Sequence, residues 1–441
     1  MINILRRGNK ANIFTGALLG AAIGIGTVTL GTYYFALFIV LVSFLALLTK
    51  SLIVKDSFLG KILLIAFLFR IGLAIFQSFF GPLPDSDADA MTFERIGWEI
   101  AEAWANGWQL PERSSAYLYS RIIGAIYLVA GRMPLLPQLL NVLLGVLIVY
   151  VTYFIVIELG GARKSAQMGA LVAALFPTLN LYSAITMREN FISVLAGVSV
   201  LYFFKWMNSG KAGKLVAAAL YLLMSSAVHG AMIFIGIVYI VYAAFYKAKE
   251  KKWRAINRQT VLYITLFFFA FFLFNKYLLN KVPGEMSLFF SPEYLSQVAS
   301  SRAHDSGAYL VGFTPDSSFE SVIQTPIRVL FFLFSPFPWM ISSAGHIFGM
   351  LDALLYMVLI FFLLIELKKH KRRDSNLIAA AVLMILIFIV VFSWGTSNFG
   401  TAIRHRQKIV WLIIAVSALR TANNFSGDCN IRDNMGSAAI E

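Results

Sequence analysis

Residues 62–90 read ILLIAFLFRIGLAIFQSFFGPLPDSDADA. The run Ile62–Phe80 carries one charge, Arg70, and approaches the roughly 20 apolar residues a bilayer-crossing helix needs. Pro82 and Pro84 then end any helix, and three carboxylates follow at alternate positions: Asp85, Asp87 and Asp89. A spanning helix that runs straight into an acidic turn places ionisable chemistry at a membrane face.

The rest of the chain fits that beginning. Of 441 residues, 59% are hydrophobic and only 13% charged, against about 25% charged in a soluble domain. A soluble enzyme, a disordered chain, a disulfide scaffold and a coiled coil are thereby excluded. The expectation is an all-α, polytopic membrane protein of about 12 spanning helices. Residues 11–49 read as an N-terminal helical hairpin, with Arg6, Arg7 and Lys10 ahead of an anchor rather than a cleaved signal. Further spans read as Ile62–Phe80, Pro137–Glu158, Ala166–Ser183, Asn190–Trp206, Leu215–Val228, Ala231–Tyr246, Thr260–Leu279, Ile347–Leu367, Asn376–Ser393 and Lys408–Arg420. Basic clusters, strongest at residues 247–254 and 368–373, mark cytoplasmic loops. Crossing parity then leaves Tyr117–Ala130 and Ile327–Ile341 as segments that enter the membrane without crossing it. Residues 81–115 and 281–325 become outer loops, and 421–441 a cytoplasmic tail. Read this way, the net charge of +15 is an orientation signal and no nucleic-acid footprint. The single cysteine, Cys429, permits no intrachain disulfide.

Four constellations could carry chemistry. Asp85, Asp87 and Asp89 raise one another's pKa unless a cation balances them, so they suit a general base or a hard divalent ion such as Mg, Mn or Ca. The alternative is a solvated N-terminal cap for the amphipathic helix Met91–Gly107. That helix carries Phe93, Ile96, Ile100, Ala101 and Trp104 on one stripe, with Glu94, Glu99 and Glu102 off it. Second, Arg188 and Glu189 lie at the end of a span containing Pro177; they either pair or bind a lipid phosphate. Third, Arg404, His405, Arg406 and Lys408 form a basic group in the short outer loop Ser393–Arg406, against the positive-inside bias. A phosphate or the outer-loop carboxylates would balance it. Arg70 also needs a partner, and an acidic loop residue is plausible. Fourth, the polar loop 281–325, with Arg302 and His304, suits a hydrophilic acceptor. His229 and His346 read as packing residues. No Walker sequence, Cys/His metal spacing or nucleophile elbow is present in the sequence.

The arrangement resembles the GT-C superfamily of membrane glycosyltransferases, in its protein-mannosyltransferase-like branch. Asp89-Ala-Met-Thr-Phe93 is similar to the Asp-acidic-x-x-aromatic motif of the first outer loop, with Ala101 near the small position and Ala90 where an acid is usual. Residues Ser183–Asn190 and Asn398-Phe-Gly-Thr-x-x-Arg404-x-Arg406 resemble polar breaks of bacterial polysaccharide-cluster members. The resemblance implies a polyprenyl-phosphate or pyrophosphate sugar donor, a glycan, lipid or protein acceptor, and no obligatory cofactor. It implies an active site on the periplasmic side of a bacterial cytoplasmic membrane, with both termini cytoplasmic. Asp89 or Asp87 would be the base. Arg404, Arg406, His405 and Arg188 would hold the donor phosphate. Asn398, Glu189, Arg302 and His304 would meet substrate. A repeat-unit polymerase shares this plan, and a flippase or transporter of polyprenyl-linked glycans remains an alternative of another class.

Overall fold

The computed structural model describes residues 43–44, 56–110, 117–253, 261, 265, 291–303, 307–342, 344–368 and 375–419. The expected hairpin 11–49 (but for residues 43–44), the span Thr260–Leu279 (but for 261 and 265), the tail 421–441, Cys429 and His304 lie outside them. In chain order the helices are α1 (Ser57–Phe79), α2 (Ala88–Asn106), α3 (Leu118–Ala130), α4 (Leu135–Glu158), α5 (Arg163–Leu175), α6 (Pro177–Ala184), α7 (Glu189–Ser209), α8 (Ala212–Val228), α9 (Gly236–Phe245, after a 3-10 turn at Gly230–Ile235), α10 (Pro292–Arg302), α11 (Ser318–Phe334), α12 (Ala344–Lys368), α13 (Ser375–Trp394) and α14 (Phe399–Ser417). The one strand ladder among the described residues is a two-residue hairpin in the basic loop, where Tyr246–Lys247 pairs with Lys252–Trp253. Trp253 stabilises it by packing on Tyr242 and Tyr246 and donating to Asn376 Oδ1 at 3.0 Å.

Five of these helices (α1, α4, α7, most of α12 and most of α13) are long and apolar enough to cross a membrane. Their outward faces are apolar: Leu64, Leu68, Phe76 and Phe79 on α1, and Leu351, Leu354, Val358 and Phe361 on α12, are all exposed. Side chains of this kind stay outward only where the solvent is lipid. The chain is an integral membrane protein. At its centre lies α14, whose residues Gln407–Ser417 are all buried against α4, α7, α12 and α13.

Two breaks in the spans set the architecture, and each is a proline matched to an arginine. The expected span Ala166–Ser183 is split at Phe176 into α5 and α6. Pro177 has no N–H, so the carbonyl of Ala173 loses its helical donor. Arg70, fully buried in mid-α1, supplies it: its guanidinium donates to the carbonyls of Ala173 (3.2 Å), Ala174 (3.0 Å) and Ala66 (3.1 Å) and to Ser183 Oγ (3.2 Å). The acidic partner expected for Arg70 is not there; among the described residues no carboxylate lies within ion-pair distance of it. Carbonyl dipoles serve instead, because an unmet carbonyl in this interior costs several kcal/mol.

The second break follows α11. That helix begins at Ser318, nine residues before the expected segment Ile327–Ile341, because Ser317 caps it by accepting from the Glu320 N–H at 3.1 Å. It stops at Phe334, and Pro336 cannot meet the carbonyl of Phe332. Arg406 donates to that carbonyl (3.3 Å) and to those of Leu333 (2.7 Å) and Ser335 (2.9 Å). Asp352 lies 3.4 Å from Arg406 and accepts from Thr178 Oγ1 at 2.9 Å, which ties the second break to the first.

Beyond α6 the chain bends through Ile185 to Arg188 before α7 begins, the Met187 N–H donating to the Ile185 carbonyl at 2.9 Å. Asn141 of α4 donates to the carbonyls of Ile185 (2.7 Å) and Met187 (2.8 Å) across this gap. Asn190 links Ser183 Oγ (2.7 Å) to Gln407 of α14, whose amide donates to Asn190 Oδ1 at 2.6 Å. At the opposite end of α1, Asp56 caps the helix and accepts from Tyr153, Arg163 and Gln167.

Candidate functional site

The acidic turn is carried by α1, α2 and the two prolines between them. After Phe80 the chain turns through Gly81-Pro-Leu-Pro, and the Leu83 N–H donates to Gln77 Oε1 at 2.6 Å. Asp85 sits at φ +61°, a left-handed conformation that Asp tolerates better than most residues. Its Oδ2 accepts from Tyr182 of α6 at 2.9 Å and lies 3.5 Å from Arg404 Nε. Asp89, in the first turn of α2, binds the Nη1 end of the same guanidinium. A single arginine, 315 residues away in sequence, thus bridges the first and third carboxylates. Asp87 occupies the cap position of α2, is exposed and makes no capping hydrogen bond there.

The two bridged acids differ. Asp85 is 30% exposed and Asp89 57%. Burial pushes the Asp85 carboxyl up to about 6, and the negative charges of Glu189 and Asp89 add to this; Arg404 and the Tyr182 hydroxyl pull the other way.

The expected basic loop Ser393–Arg406 is mostly helix. Asn398 is the cap of α14, its Oδ1 accepting from the N–H groups of Gly400 (2.9 Å) and Thr401 (3.3 Å). That starts the helix nine residues before the expected Lys408. A helix sends successive residues to different faces, so the basic group is dispersed. Arg404 goes to the carboxylates. His405 meets Thr396 Oγ1 at 2.9 Å between the rings of Phe392 and His229. Arg406 is taken up by the α11 carbonyls and Asp352. Lys408 is buried 3.6 Å from Glu189 Oε1. Of the four residues expected around a phosphate, Arg404 and Arg188 alone border the acidic turn. Arg188 donates to the Val228 carbonyl at 3.3 Å, lies over the Phe93 ring at 5.3 Å, and is within electrostatic reach of Asp89 and Arg404. His229 and His346 pack against aromatic rings, His346 against Phe399.

Arg302 ends α10, exposed. The loop that follows is fastened to the start of α14: the Tyr309 N–H donates to the Ser397 carbonyl and the Phe399 N–H to the Gly307 carbonyl, both at 2.9 Å. Asn398 is therefore engaged in structure on two sides.

The expected ion at Asp85, Asp87 and Asp89 finds no fitting cage. Among the described residues no three His, Cys, Asp or Glu side chains converge as ligands, and Arg404 already balances two of the three acids. Sequence reasoning passed over Tyr182 as an individual residue. Its signal was position: it falls on the short helix after Pro177, the same break that carries Arg188 and Glu189.

The cluster holds a half-buried acid poised near neutrality, a second acid at the surface, and a guanidinium shared between them. It can take up a proton at Asp85, and it can exchange the surface acid for another anion at Arg404.

No known protein-family model matches the chain. No curated protein matches it. Among solved structures, the chain is similar to the archaeal oligosaccharyltransferase AglB from Archaeoglobus fulgidus, solved in complex with an inhibitory peptide and a dolichol-phosphate. The identity is 14% and the TM-score 0.47, over 83% of this chain and 50% of that one. The chain spans about half the length of that protein.

Proposed function

We propose that this protein is a membrane glycosyltransferase that moves a sugar, or an assembled oligosaccharide, from a polyprenyl-phosphate or pyrophosphate carrier to an acceptor hydroxyl at the outer face of a cytoplasmic membrane. The observation that carries the reading is the bridge of Arg404 to Asp85 and Asp89. The motif resemblance around Asp89–Phe93 and Asn398–Arg406 supports it.

In this reading the donor phosphate takes Arg404 from Asp89, the more exposed acid, and Asp85 stays beside the guanidinium. Asp85 accepts the proton of the acceptor hydroxyl. The oxygen attacks the anomeric carbon, the bond from that carbon to the carrier oxygen breaks, and its electron pair goes to the phosphate. Arg404, with Arg188 nearby, stabilises the charge that grows there. A single displacement inverts the anomeric centre. The apolar carrier stays in the bilayer, so the energy comes from the phosphoester and no nucleotide enters.

The test is transfer from a synthetic polyprenyl-phosphate sugar in proteoliposomes holding the full chain. Removing a general base costs about 10²–10⁴ in rate. Asp85→Asn should therefore abolish most product, while Glu99→Gln, at an exposed pair with Arg95, should leave it unchanged. Undiminished transfer by Asp85→Asn would refute the assignment.

A further inference from the structure

The acidic turn has a second side. Beside the acidic turn, at Ser86, lies an open cleft of about 360 Å³, bordered by the end of α1, the first half of α2, the start of α4 and residues 185–186. Such a volume falls within the range of small-molecule sites. Ser86 and Thr186 line it, and both are buried. Each is close in sequence to a member of the ionic cluster: Ser86 follows Asp85, and Thr186 precedes Arg188 and Glu189.

The cleft's chemistry is that of a hydroxyl binder. Glu94, which sequence periodicity set off the apolar stripe, accepts from Arg132 Nε at 3.0 Å and Nη2 at 2.9 Å, and from Tyr127 at 3.0 Å. Arg132 Nη1 takes no hydrogen-bond partner among the described residues. A carboxylate and guanidinium locked edge to edge present acceptors and donors in one plane, which suits two adjacent hydroxyls. Gln138 adds an amide, its Oε1 accepting from Ser78 at 2.7 Å. Met91, 65% exposed, offers an apolar platform to a C–H face.

We propose that this cleft is the acceptor subsite and that it takes a saccharide, gripped by Glu94 and Arg132. The proposal rests on the glycosyltransferase reading, for the role but not for the binding. The lining residue Ser86 is the chain neighbour of Asp85, which brings the subsite to the base.

Binding can be read without turnover. The probes are the methyl glycosides of glucose, galactose and N-acetylglucosamine, with saturation-transfer NMR on the full chain in detergent. At least one should bind the wild type. Arg132→Gln and Glu94→Gln should each weaken it about tenfold or more, since each removes charge-assisted hydrogen bonds. Met91→Trp, which fills the cleft from an exposed position and leaves the ion pair intact, should abolish binding and so guards against misfolding of the other two. Asp85→Asn should bind like the wild type. Absence of binding by the wild type, or unchanged binding by Met91→Trp, overturns the proposal. If saccharide binding behaves as expected but Asp85→Asn still transfers sugar, the catalytic reading fails and the subsite stands. If Asp85→Asn is inactive and the cleft variants bind normally, the subsite alone fails.

Discussion

The Asp85–Arg404 pair makes a quantitative forecast for pH. With its carboxyl near 6, Asp85 is about 90% ionised at pH 7 and about 10% at pH 5. If the ionised form is the base, kcat/KM should fall roughly tenfold between those values, since that parameter reports the free enzyme's essential groups. Arg404→Gln removes the positive charge that holds the carboxyl down. An adjacent arginine is worth about 1–3 pKa units to an aspartate, so the midpoint should move to between about 7 and 9, and activity at pH 7 should drop on that ground alone. The assay is the proteoliposome transfer reaction from pH 4.5 to 9, with acceptor well below saturation so that the rate reads kcat/KM. The stability effect runs the other way. A carboxyl raised from its ordinary 3.8 favours the folded state most when protonated. That contribution is complete below pH 3.8 and is lost as pH rises through about 6. A lower melting temperature at pH 7.5 than at pH 4.5 from this group would thus accompany higher activity. A flat rate profile from pH 5 to 8, or an Arg404→Gln midpoint still near 6, would refute the coupling of these two residues.

Three other outcomes follow from the packing. Arg70→Met leaves the carbonyls of Ala173 and Ala174 without donors, at about 1–3 kcal/mol each; in a Pro177→Ala background the cost should shrink by about 1 kcal/mol or more, read as coupling in a denaturant double-mutant cycle. Gly97→Val should destabilise the protein by about 1–3 kcal/mol, seen as a lower Tm, because any Cβ there comes within 2.5 Å of Ile123 Cγ2 and forces α2 off α3. Asp56→Ala uncaps α1 and takes the shared acceptor from Arg163, Tyr153 and Gln167, for an expected loss of about 1–3 kcal/mol. Burial works to raise the Asp56 pKa, but Arg163, Tyr153, the Leu59 N–H and Gln167 together hold it below 3.8. Its stabilisation is therefore present at neutral pH and lost as pH falls below that value, which acid unfolding of wild type against Asp56→Asn would show.

What the sequence determined by itself was the solvent and the breaks. A hydrophobic run long enough to cross a bilayer says so in any context, because hydropathy is a sum over neighbours in the chain. Prolines at 82, 84 and 336 mark where a helix must end or bend, because the missing N–H is a local fact, whereas Pro177 fell inside a single expected span that the fold divides. The helix around Met91–Gly107 was legible for the same reason: its period is local, and it forms as Ala88–Asn106 with its stripe on α3. Charge partners were not legible. Arg70 and Arg406 looked like ligands for acids or phosphate, yet both donate to carbonyls that prolines had orphaned elsewhere in the chain, and the acid beside Arg406 is Asp352 of α12 rather than an outer-loop residue. Nothing near Arg70 in sequence announces Pro177. The basic group at 404–408 looked like one patch, and the Asn398 cap turned it into a helix that sends Arg404, His405, Arg406 and Lys408 to different neighbours. The proposed mechanism takes Asp85 rather than Asp89 as the base because the fold buries it against Tyr182 and Arg404. Burial and pairing are sums over neighbours in space, and those neighbours come from α6 and α14, remote in the chain. Tertiary structure alone decided which of three equally spaced aspartates lies between Tyr182 and Arg404.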